Sequence, residues 1–391
     1  MKKTNEHGLL AKGCLFLALQ TACQPLKPKS DENEVKLFGL SLAEKNKLAG
    51  AGWIKEPLQL DREYVSADER ERHEGFAAII KGYQHERSAV NHGVKRGFHA
   101  KQLGCTLGRF EVSDQIPTEL QQGVFMPGKS YEVMARFSSG LGTVENDAEL
   151  DVKGLALKLL NIEGPKLIQS MLPNENLPNS HSIDFTMTNV PTFGTKDSTD
   201  FMKFAKAVHD GKKGSFAFNH PIALHRLAIS VTRKIGDLGL ESFWSGGASR
   251  LGPKTMKFRV APCDGRKQFS PTGKISENYY RESLQKHLNS ESVCYDFFAQ
   301  IQRDPYKQPI ENPQEFWKED ETPSILMAKI NFDKQDLAKN DPICERITFH
   351  PWNTIAAHQP LGEVNRARLF VYRTSAAERS IGGIEFDPPN L

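Results

Sequence analysis

The sequence predicts an α+β fold that is built on an antiparallel sheet or barrel. Segments with strand-like alternation come first in series and segments with helical spacing follow in a group, an order that favours this class over alternating βαβ units. The chain has 391 residues, of which 38% are hydrophobic and 25% are charged. This balance is typical of a globular protein with a large core and excludes a disordered or fibrous one.

The strand predictions rest on apolar residues at every second position. The run Tyr131–Ser138 places its apolar residues on one face and Arg136 and Ser138 on the other. Three further runs have the same alternation: Leu155–Leu159, Met256–Val260 and Ile325–Phe332.

The helix predictions rest on capping residues and on spacings of three and four. Asp200 is expected to cap a helix over Phe201–His209, with Gly211 as its stop, and Pro221 is expected to open a second helix. A third segment has one polar stripe at helical spacing: Val364, Arg368, Tyr372, Ser375 and Arg379. Such a stripe is by itself most often a solvated face.

The N-terminal region is typical of an export signal. A basic start at Lys2 precedes a short apolar stretch that ends in a small residue followed by Cys23. We expect residues 1–22 to be a signal peptide of the lipoprotein type, residues 23–50 a flexible tether and residues 51–391 the folded domain. The product would be exported, either periplasmic or lipid-anchored to a bacterial membrane. The alternative is a frayed cytoplasmic N-terminus.

The charge balance and the motif content exclude several functional classes. Lys and Arg number 51 against 48 Asp and Glu, so the chain has no electrostatic footprint for nucleic acid. It contains no Walker loop, no G-x-G-x-x-G and no H-E-x-x-H, which removes the common nucleotide-binding and zinc-hydrolase motifs. No uninterrupted run of about 18 apolar residues predicts a membrane-spanning helix.

Four cysteines follow the leader: Cys105, Cys263, Cys294 and Cys344. They lie far apart and form no C-x-x-C pair, so a zinc site is not supported. In an oxidising compartment four cysteines allow three disulfide pairings, and the spacing selects none of them. We expect buried free thiols instead.

Three local patterns contain residues that are suited to chemistry. The first is Arg96–Lys101 (R-G-F-H-A-K), and the second is Ala135–Ser138 (A-R-F-S). The third joins Phe349–Asn353 (F-H-P-W-N) to Asn365–Tyr372 (N-R-A-R-L-F-V-Y). Taken separately, none of them selects a function, because a lone histidine or a polar helix face is more often structural.

Together, and in this order, these patterns resemble the catalase superfamily. Arg96–Lys101 is similar to the R-x-x-H-A-K segment that carries the distal histidine of that family, and Met134–Ser138 to its V-R-F-S strand. Asp151–Lys158 looks like its D-P-R-G-F-A-V-K, and Thr188–Pro191 is similar to its N-N-T-P. The most specific match is Arg368–Tyr372 to R-L-F-x-Y, at the expected distance after an F-x-P-x-N segment.

The resemblance covers residues 86–382 and implies a specific architecture. Members of the family have an eight-stranded antiparallel β-barrel with helices packed around it, and they hold haem b beside the barrel. The length of the chain is closer to that of the small catalase-related haem proteins than to that of full catalases.

The resemblance also implies how the haem would be held. Tyr372 would ligate the iron as a phenolate. Free tyrosine has a pKa near 10, so a cation must stabilise the anion, and Arg368 lies one helical turn earlier. Arg96, Arg136 and Arg379 would bind the haem propionates, because the guanidinium fork suits carboxylates.

On the opposite haem face the resemblance implies a proton-transfer site. His99 would take a proton from bound peroxide and return it to the leaving oxygen. Ser138 would fix the tautomer of His99, and Asn189 would donate an amide N–H to the peroxide. Phe98 precedes His99, where catalases have valine and allene oxide synthases have threonine. It is expected to stand over the haem and narrow the space there, which would weaken oxygen evolution relative to oxidation of small aromatic donors. The alternative is that Phe98 points into the core and only packs there.

The function expected from this resemblance is a haem-dependent, peroxide-utilising oxidoreductase. We expect a catalase-like peroxidase that decomposes hydrogen peroxide or organic peroxides with an unknown electron donor. One alternative is a lipid-hydroperoxide isomerase or lyase of the allene oxide synthase type, and another is a non-catalytic haem-binding protein. Two departures bear on the choice: Phe98 matches neither family residue, and Asn189 stands alone where the family has two asparagines.

Overall fold

The fold was derived from a computed structural model, which describes residues 39–168, 181–212 and 235–379. In these ranges ten strands form one antiparallel sheet. The strands are β1 (Gln102–Val112), β2 (Ser130–Ser139), β3 (Lys153–Leu160), β4 (Ser182–Thr188), β5 (Phe243–Trp244), β6 (Ala248–Leu251), β7 (Lys254–Pro262), β8 (Val293–Ile301), β9 (Ile325–Phe332) and β10 (Pro360–Leu361).

Eight of these strands close into a barrel in the order β1-β2-β3-β4-β5-β7-β8-β9. Closure follows because β1 pairs with both β2 and β9, and β7 pairs with both β5 and β8. The short strands β6 and β10 extend the sheet beside β7. At the β1–β9 seam a Cβ on Gly108 would lie 2.1 Å from the carbonyl oxygen of Asn331, so the seam requires glycine there. The predicted eight-stranded antiparallel barrel is confirmed.

The core fills the inside of this barrel. The four runs that alternate in the sequence lie within β2, β3, β7 and β9, and their apolar faces point inward. At the centre the ring of Phe297 packs against four other phenylalanines: Phe110, Phe125, Phe185 and Phe258. The alternation therefore leaves Arg136 and Ser138 of β2 on the outer face of the barrel.

Six helices of the described residues surround the barrel. They are α1 (Leu42–Leu48), α2 (Glu69–Glu86), α3 (Ser198–His209), α4 (Tyr279–Ser290), α5 (Leu337–Arg346) and α6 (Glu363–Arg379). The predicted C-terminal helix is confirmed as α6. None of these helices is both long and apolar enough to cross a bilayer.

The start of α3 differs from the prediction. The helix begins at Ser198, and its cap is Asp197, whose side chain accepts a hydrogen bond of 2.8 Å from the Asp200 amide. The sequence predicts Asp200 as the cap because this residue directly precedes Phe201, the first phenylalanine of the apolar stripe. The helix ends at His209, and Gly211 has a φ of +69°. The helix expected from Pro221 lies outside the described residues.

The folded part of the chain begins before residue 51. Helix α1 lies in the segment expected to be a tether, and Ser41 and Glu44 form a reciprocal cap at its start. The side chain of Asn46 is buried and donates 2.8 Å to the carbonyl of Ile54. The signal peptide and Cys23 lie outside the described residues.

The expectation of free thiols is wrong. Cys105 of β1 is bonded to Cys344 of α5, and Cys263 is bonded to Cys294 of β8. The β7–β8 ladder brings Cys263 next to Cys294, and the contact of α5 with β1 brings Cys344 next to Cys105, so the spacing of the cysteines along the chain did not reveal either pair.

Candidate active site

The residues singled out in the sequence meet on the outer face of the barrel at β2, β3 and β4, where Arg368 of α6 donates to Thr186 of β4. His99 lies in the segment that leads from α2 into β1, and its backbone has a left-handed φ of +56°. Its amide donates 3.1 Å to the carbonyl of Gly140, and its Nδ1 lies 3.0 Å from Ser138 Oγ. His99 is therefore fixed through both its backbone and its ring, by Ser138 at the end of β2 and by Gly140 just after it.

Gly154 of β3 makes room for the histidine ring. A Cβ at this position would lie 2.6 Å from both Cε1 and Nδ1 of His99, and 2.8 Å from Ser138 Oγ. Gly154 pairs with Ser138 across the β2–β3 ladder, which places the serine and the ring over the same spot. The small residue is thus a requirement of the site.

His99 is neutral over the whole physiological range. Burial lowers its pKa to about 3, and the positive charges of Arg136, Arg368 and Arg96 act in the same direction. A hydrogen bond to the Ser139 backbone opposes this shift only weakly. The ring is therefore unprotonated at neutral pH, and one of its nitrogens has a free lone pair.

Asn189 has an unpartnered donor beside this ring. Its Oδ1 accepts 2.7 Å from the Lys153 amide, and its own amide donates 2.9 Å to the Lys153 carbonyl. These two hydrogen bonds to Lys153 of β3 fix Asn189 next to Gly154. Its Nδ2 is buried and has no hydrogen-bond partner among the described residues. A buried amide without an acceptor indicates a place for a ligand.

Tyr372 and Arg368 form a second cluster, on α6. Arg368 donates 3.0 Å to the phenolic oxygen of Tyr372, 2.6 Å to Thr186 Oγ1 and 3.0 Å to Asn365 Oδ1. The guanidinium is thereby held at the phenolic oxygen by three hydrogen bonds of its own side chain. Elsewhere in the described ranges no three His, Cys, Asp or Glu side chains gather as a metal site.

His350 packs against this phenol. Its ring centre lies 5.5 Å from that of Tyr372, and its Nδ1 accepts 3.1 Å from the Trp352 amide. Its Nε2 is buried and unpartnered within the described part of the chain. Burial, together with the charge of Arg368, lowers the pKa of His350 to about 3, so the ring is neutral.

The two clusters are joined by β4. Thr186 binds Arg368 and so belongs to the phenol side, and Asn189 follows three positions later on the imidazole side. Three residues of extended chain span about 10 Å, at 3.3 Å per residue. The phenol cluster and the imidazole cluster are therefore attached to neighbouring positions of the same strand region.

Three arginines form a third cluster, next to His99. Arg136 donates 3.1 Å to the carbonyl of His99. Arg96 donates to Glu345 Oε2 at 3.0 Å and to the carbonyls of residues 344 and 347 at 2.8 and 2.9 Å. Arg379 donates 3.1 Å to the carbonyl of Glu345 and 2.9 Å to Thr348 Oγ1. The family resemblance implied that all three arginines bind the haem propionates, and the structure brings the three side chains together.

The arginine cluster has an excess of positive charge. Burial and the neighbouring Arg96 lower the pKa of Arg379 to about 9, and burial also lowers the pKa of Arg96 and Arg136. Burial raises the pKa of Glu345, but the charges of Arg96, Arg136 and Lys95 outweigh it and lower that pKa overall. In the described residues, Glu345 is the only carboxylate within 4 Å of these guanidiniums, and Arg379 Nε is buried without a partner. The cluster is therefore suited to bind anions.

Phe98 belongs to an aromatic cluster beside the site. Its half-buried ring is stacked on Phe201 of α3, with the centres 5.2 Å apart, and Phe201 also contacts Phe76 and Phe193. This packing is what a core role requires, and the expected position over a cofactor stays a prediction.

Four residues of the site were not identified from the sequence as functional: Thr186, Glu345, His350 and Gly154. His350 and Gly154 lie inside motifs that were quoted, so position alone could have indicated them. Thr186 and Glu345 gave no local indication, because their partners lie more than 180 residues away in the chain.

Comparisons with known proteins identify the fold. No family model and no curated protein sequence matches the chain. Among solved structures, a fungal catalase matches with a TM-score of 0.61 and 16% identity, over 86% of this chain and 69% of that chain. A bacterial catalase matches with a TM-score of 0.60 and 18% identity, over 76% of this chain and 60% of its own length. At these identities the likeness concerns the fold alone: the chain has the eight-stranded barrel and surrounding helices of catalases.

Proposed function

We propose that the chain is a haem-dependent, peroxide-utilising oxidoreductase, a catalase-like peroxidase that decomposes hydrogen peroxide or organic peroxides. One observation carries the proposal. The phenol of Tyr372 accepts 3.0 Å from Arg368, which also donates to Thr186 of β4, and the neutral, serine-bound imidazole of His99 lies over Gly154, which pairs with Thr188 of β4. This pairing is suited to a metal-binding group between them.

The residues present fit haem b. Tyr372 would hold the iron as a phenolate, stabilised by the adjacent Arg368. The excess positive charge of Arg96, Arg136 and Arg379, and the free Nε of Arg379, suit two propionates. When bound, haem supplies an iron that exchanges electrons with peroxide.

The chain's own residues would move the proton. With Nδ1–H donating to Ser138 Oγ, the Nε2 lone pair of His99 accepts a proton from peroxide and returns it to the leaving oxygen. The free Nδ2 of Asn189 would donate to the peroxide and hold it against the ring. The left-handed backbone of His99 and the absence of a Cβ on Gly154 keep the ring in place for both steps.

Titration with haemin tests the proposal. The purified full chain should bind haemin with a spectrum of the tyrosinate-ligated ferric type. Tyr372→Phe should lose most of the bound haem or change its spectrum, whereas Tyr131→Phe, at a half-buried tyrosine that packs against the barrel core, should bind as the wild type does. A wild-type chain that binds no haemin would overturn the proposal, and an unaltered spectrum of Tyr372→Phe would overturn the ligand assignment.

A second candidate is a lipid-hydroperoxide isomerase or lyase. It is favoured by one observation, the half-buried aromatic cluster of Phe98, Phe193 and Phe201 next to His99, which suits an apolar chain. Products formed from hydrogen peroxide and from a fatty-acid hydroperoxide distinguish the two enzymes. A chain that binds haem but turns over neither substrate would be a non-catalytic haem-binding protein.

We also propose that the chain is exported and lipid-anchored through Cys23. The two disulfides support an oxidising compartment, because such bonds are rare in the cytosol. In a bacterial host the mature protein should begin at Cys23 and fractionate with membranes, and Cys23→Ala should release or misprocess it. Intact Met1 in the cytosolic fraction would contradict export.

A further inference from the structure

The disulfide Cys105–Cys344 lies directly behind the arginine cluster. Cys105 is opposite Arg136 in the β1–β2 ladder, and Cys344 precedes Glu345 at the end of α5. Both cysteines are fully buried, and the chain between them is 239 residues long. No step of the proposed function uses this bond.

The segment 344–348 supplies most of the contacts that orient two of the arginines. The carbonyl oxygens of residues 344, 345 and 347 accept from Arg96 at 2.8, 3.3 and 2.9 Å. The carbonyl oxygens of residues 345 and 347 accept from Arg379 at 3.1 and 3.5 Å. Backbone carbonyls can only accept, so the position of this segment decides where the two guanidiniums point.

The third arginine, Arg136, is oriented by helix α5 through the side chain of Gln102. Arg136 Nε donates 3.1 Å to Gln102 Oε1, and Gln102 in turn donates 3.0 Å to Asp341 of α5. Asp341 also accepts 2.9 Å from the Cys105 amide. Helix α5 and strand β1 thus hold the arginine cluster between them, and the disulfide Cys105–Cys344 is the covalent bond that joins the helix to the strand.

We propose that Cys105–Cys344 is a positioning disulfide, which fixes the segment 344–348 and with it the orientation of Arg96, Arg136 and Arg379, so that their remaining donors, the free Nε of Arg379 among them, bind a ligand with two carboxylates. The inference rests on the proposed function, because it assigns the haem propionates as that ligand. A ligand site needs its binding groups held within about 0.5 Å by the surrounding shell, and the disulfide provides this constraint.

The test compares metal-free protoporphyrin IX with its dimethyl ester, because neither probe depends on Tyr372 as an iron ligand. The wild-type full chain should prefer the dicarboxylate. In Cys105→Ala/Cys344→Ala this preference should fall by about tenfold, the loss of about one charge-assisted hydrogen bond. Affinity for the ester should stay within about twofold, because no arginine contact is lost from a neutral probe.

The matched control is Cys263→Ala/Cys294→Ala, which removes the other disulfide. It should keep the wild-type preference, so a loss in both double variants would overturn the inference as a mere effect of stability. Should the first double variant not fold, the folded wild type is reduced with a phosphine and titrated with both probes. A reduced wild type with an unchanged preference would also overturn the inference.

The two proposals fail in different ways. A wild type that binds neither haemin nor protoporphyrin IX refutes the proposed function, and the inference with it. A wild type that binds haemin through Tyr372, with equal preference in all disulfide forms, refutes the inference alone.

Discussion

His99 combines three constraints that rarely coincide in one residue. Its backbone is left-handed, its ring is buried, and three guanidiniums act on its charge. A non-glycine residue with positive φ stores strain that the surroundings must offset. Here the surroundings do so through the Gly140 carbonyl and Ser138.

Replacing His99 tests its chemistry. We expect His99→Gln to lower peroxide-dependent turnover by about 10²–10⁴-fold at equal haem content, because general acid–base help is lost. Ser138→Ala should lower it less, since the ring stays but its tautomer is no longer fixed. His92→Gln, at an exposed position, is the control. Wild-type turnover by His99→Gln would show that the proton moves elsewhere.

Phe98 was expected to narrow the space over the cofactor and so to suppress oxygen evolution relative to oxidation of aromatic donors. Its stacking on Phe201 favours a packing role. Phe98→Val should then cost about 1–2 kcal/mol of stability and leave the ratio of the two activities unchanged. Urea unfolding and the two activities at matched haem content measure this. A ratio shifted towards oxygen evolution would instead favour a position over the haem.

At the scale of elements, the site depends on how closely β3 approaches the histidine. Helix α6, strand β2 and the loop before β1 supply Tyr372, Arg136 and His99, but β3 supplies the gap at Gly154 in which the ring lies. A strand of the barrel therefore fixes the geometry without any side chain of its own at that point.

Gly154→Ala tests this dependence. The new methyl group would lie 2.6 Å from the ring, so His99 must move, and turnover should fall by about 10²-fold or more while the barrel stays folded. Gly75→Ala, on exposed α2 with nothing within 4 Å, should instead stabilise the chain by about 0.5–1 kcal/mol. Unchanged turnover by Gly154→Ala would mean that the ring does not act from this position.

Part of this arrangement could be predicted from the sequence, and the difference has a physical cause. Alternation predicts β2, β3, β7 and β9 because each has one face in the core. It cannot predict β5 and β10, which have two residues each and are strands only through their pairing. Motifs located His99, Tyr372 and Arg368, whereas Glu345 is recognised only when the closed barrel brings α5 to Arg96.

At the scale of the whole molecule, buried neutral histidines couple folding to pH. Burial lowers the pKa of His358, which packs against Phe125 and Phe185, to about 4, and that of His99 and of His350 to about 3. The unfolded chain binds protons at these histidines below about pH 6.5, but the folded chain does not. Their stabilisation is therefore complete above pH 6.5 and is lost as the pH falls.

Urea unfolding at pH 7.5, 6.5, 5.5 and 4.5 should show this loss. Three such histidines give a slope of up to about 4.1 kcal/mol per pH unit between pH 6 and 4. His99→Gln should lower this slope by up to about 1.4 kcal/mol per pH unit, the share of one proton. A stability that is flat down to pH 4.5 would contradict the burial of these rings.

The β1–β9 seam has a consequence for how the chain is made. Phe110 of β1 pairs with Ile330 of β9, so roughly 220 residues must be synthesised before the barrel can close. At about 5–20 residues per second, one edge of β1 stays unpaired for about 10–45 s on the ribosome. An unpaired strand edge is a template for aggregation. We therefore expect the yield of active protein to be limited by how long a nascent β1 is kept from other chains, and to rise when a holdase chaperone covers it.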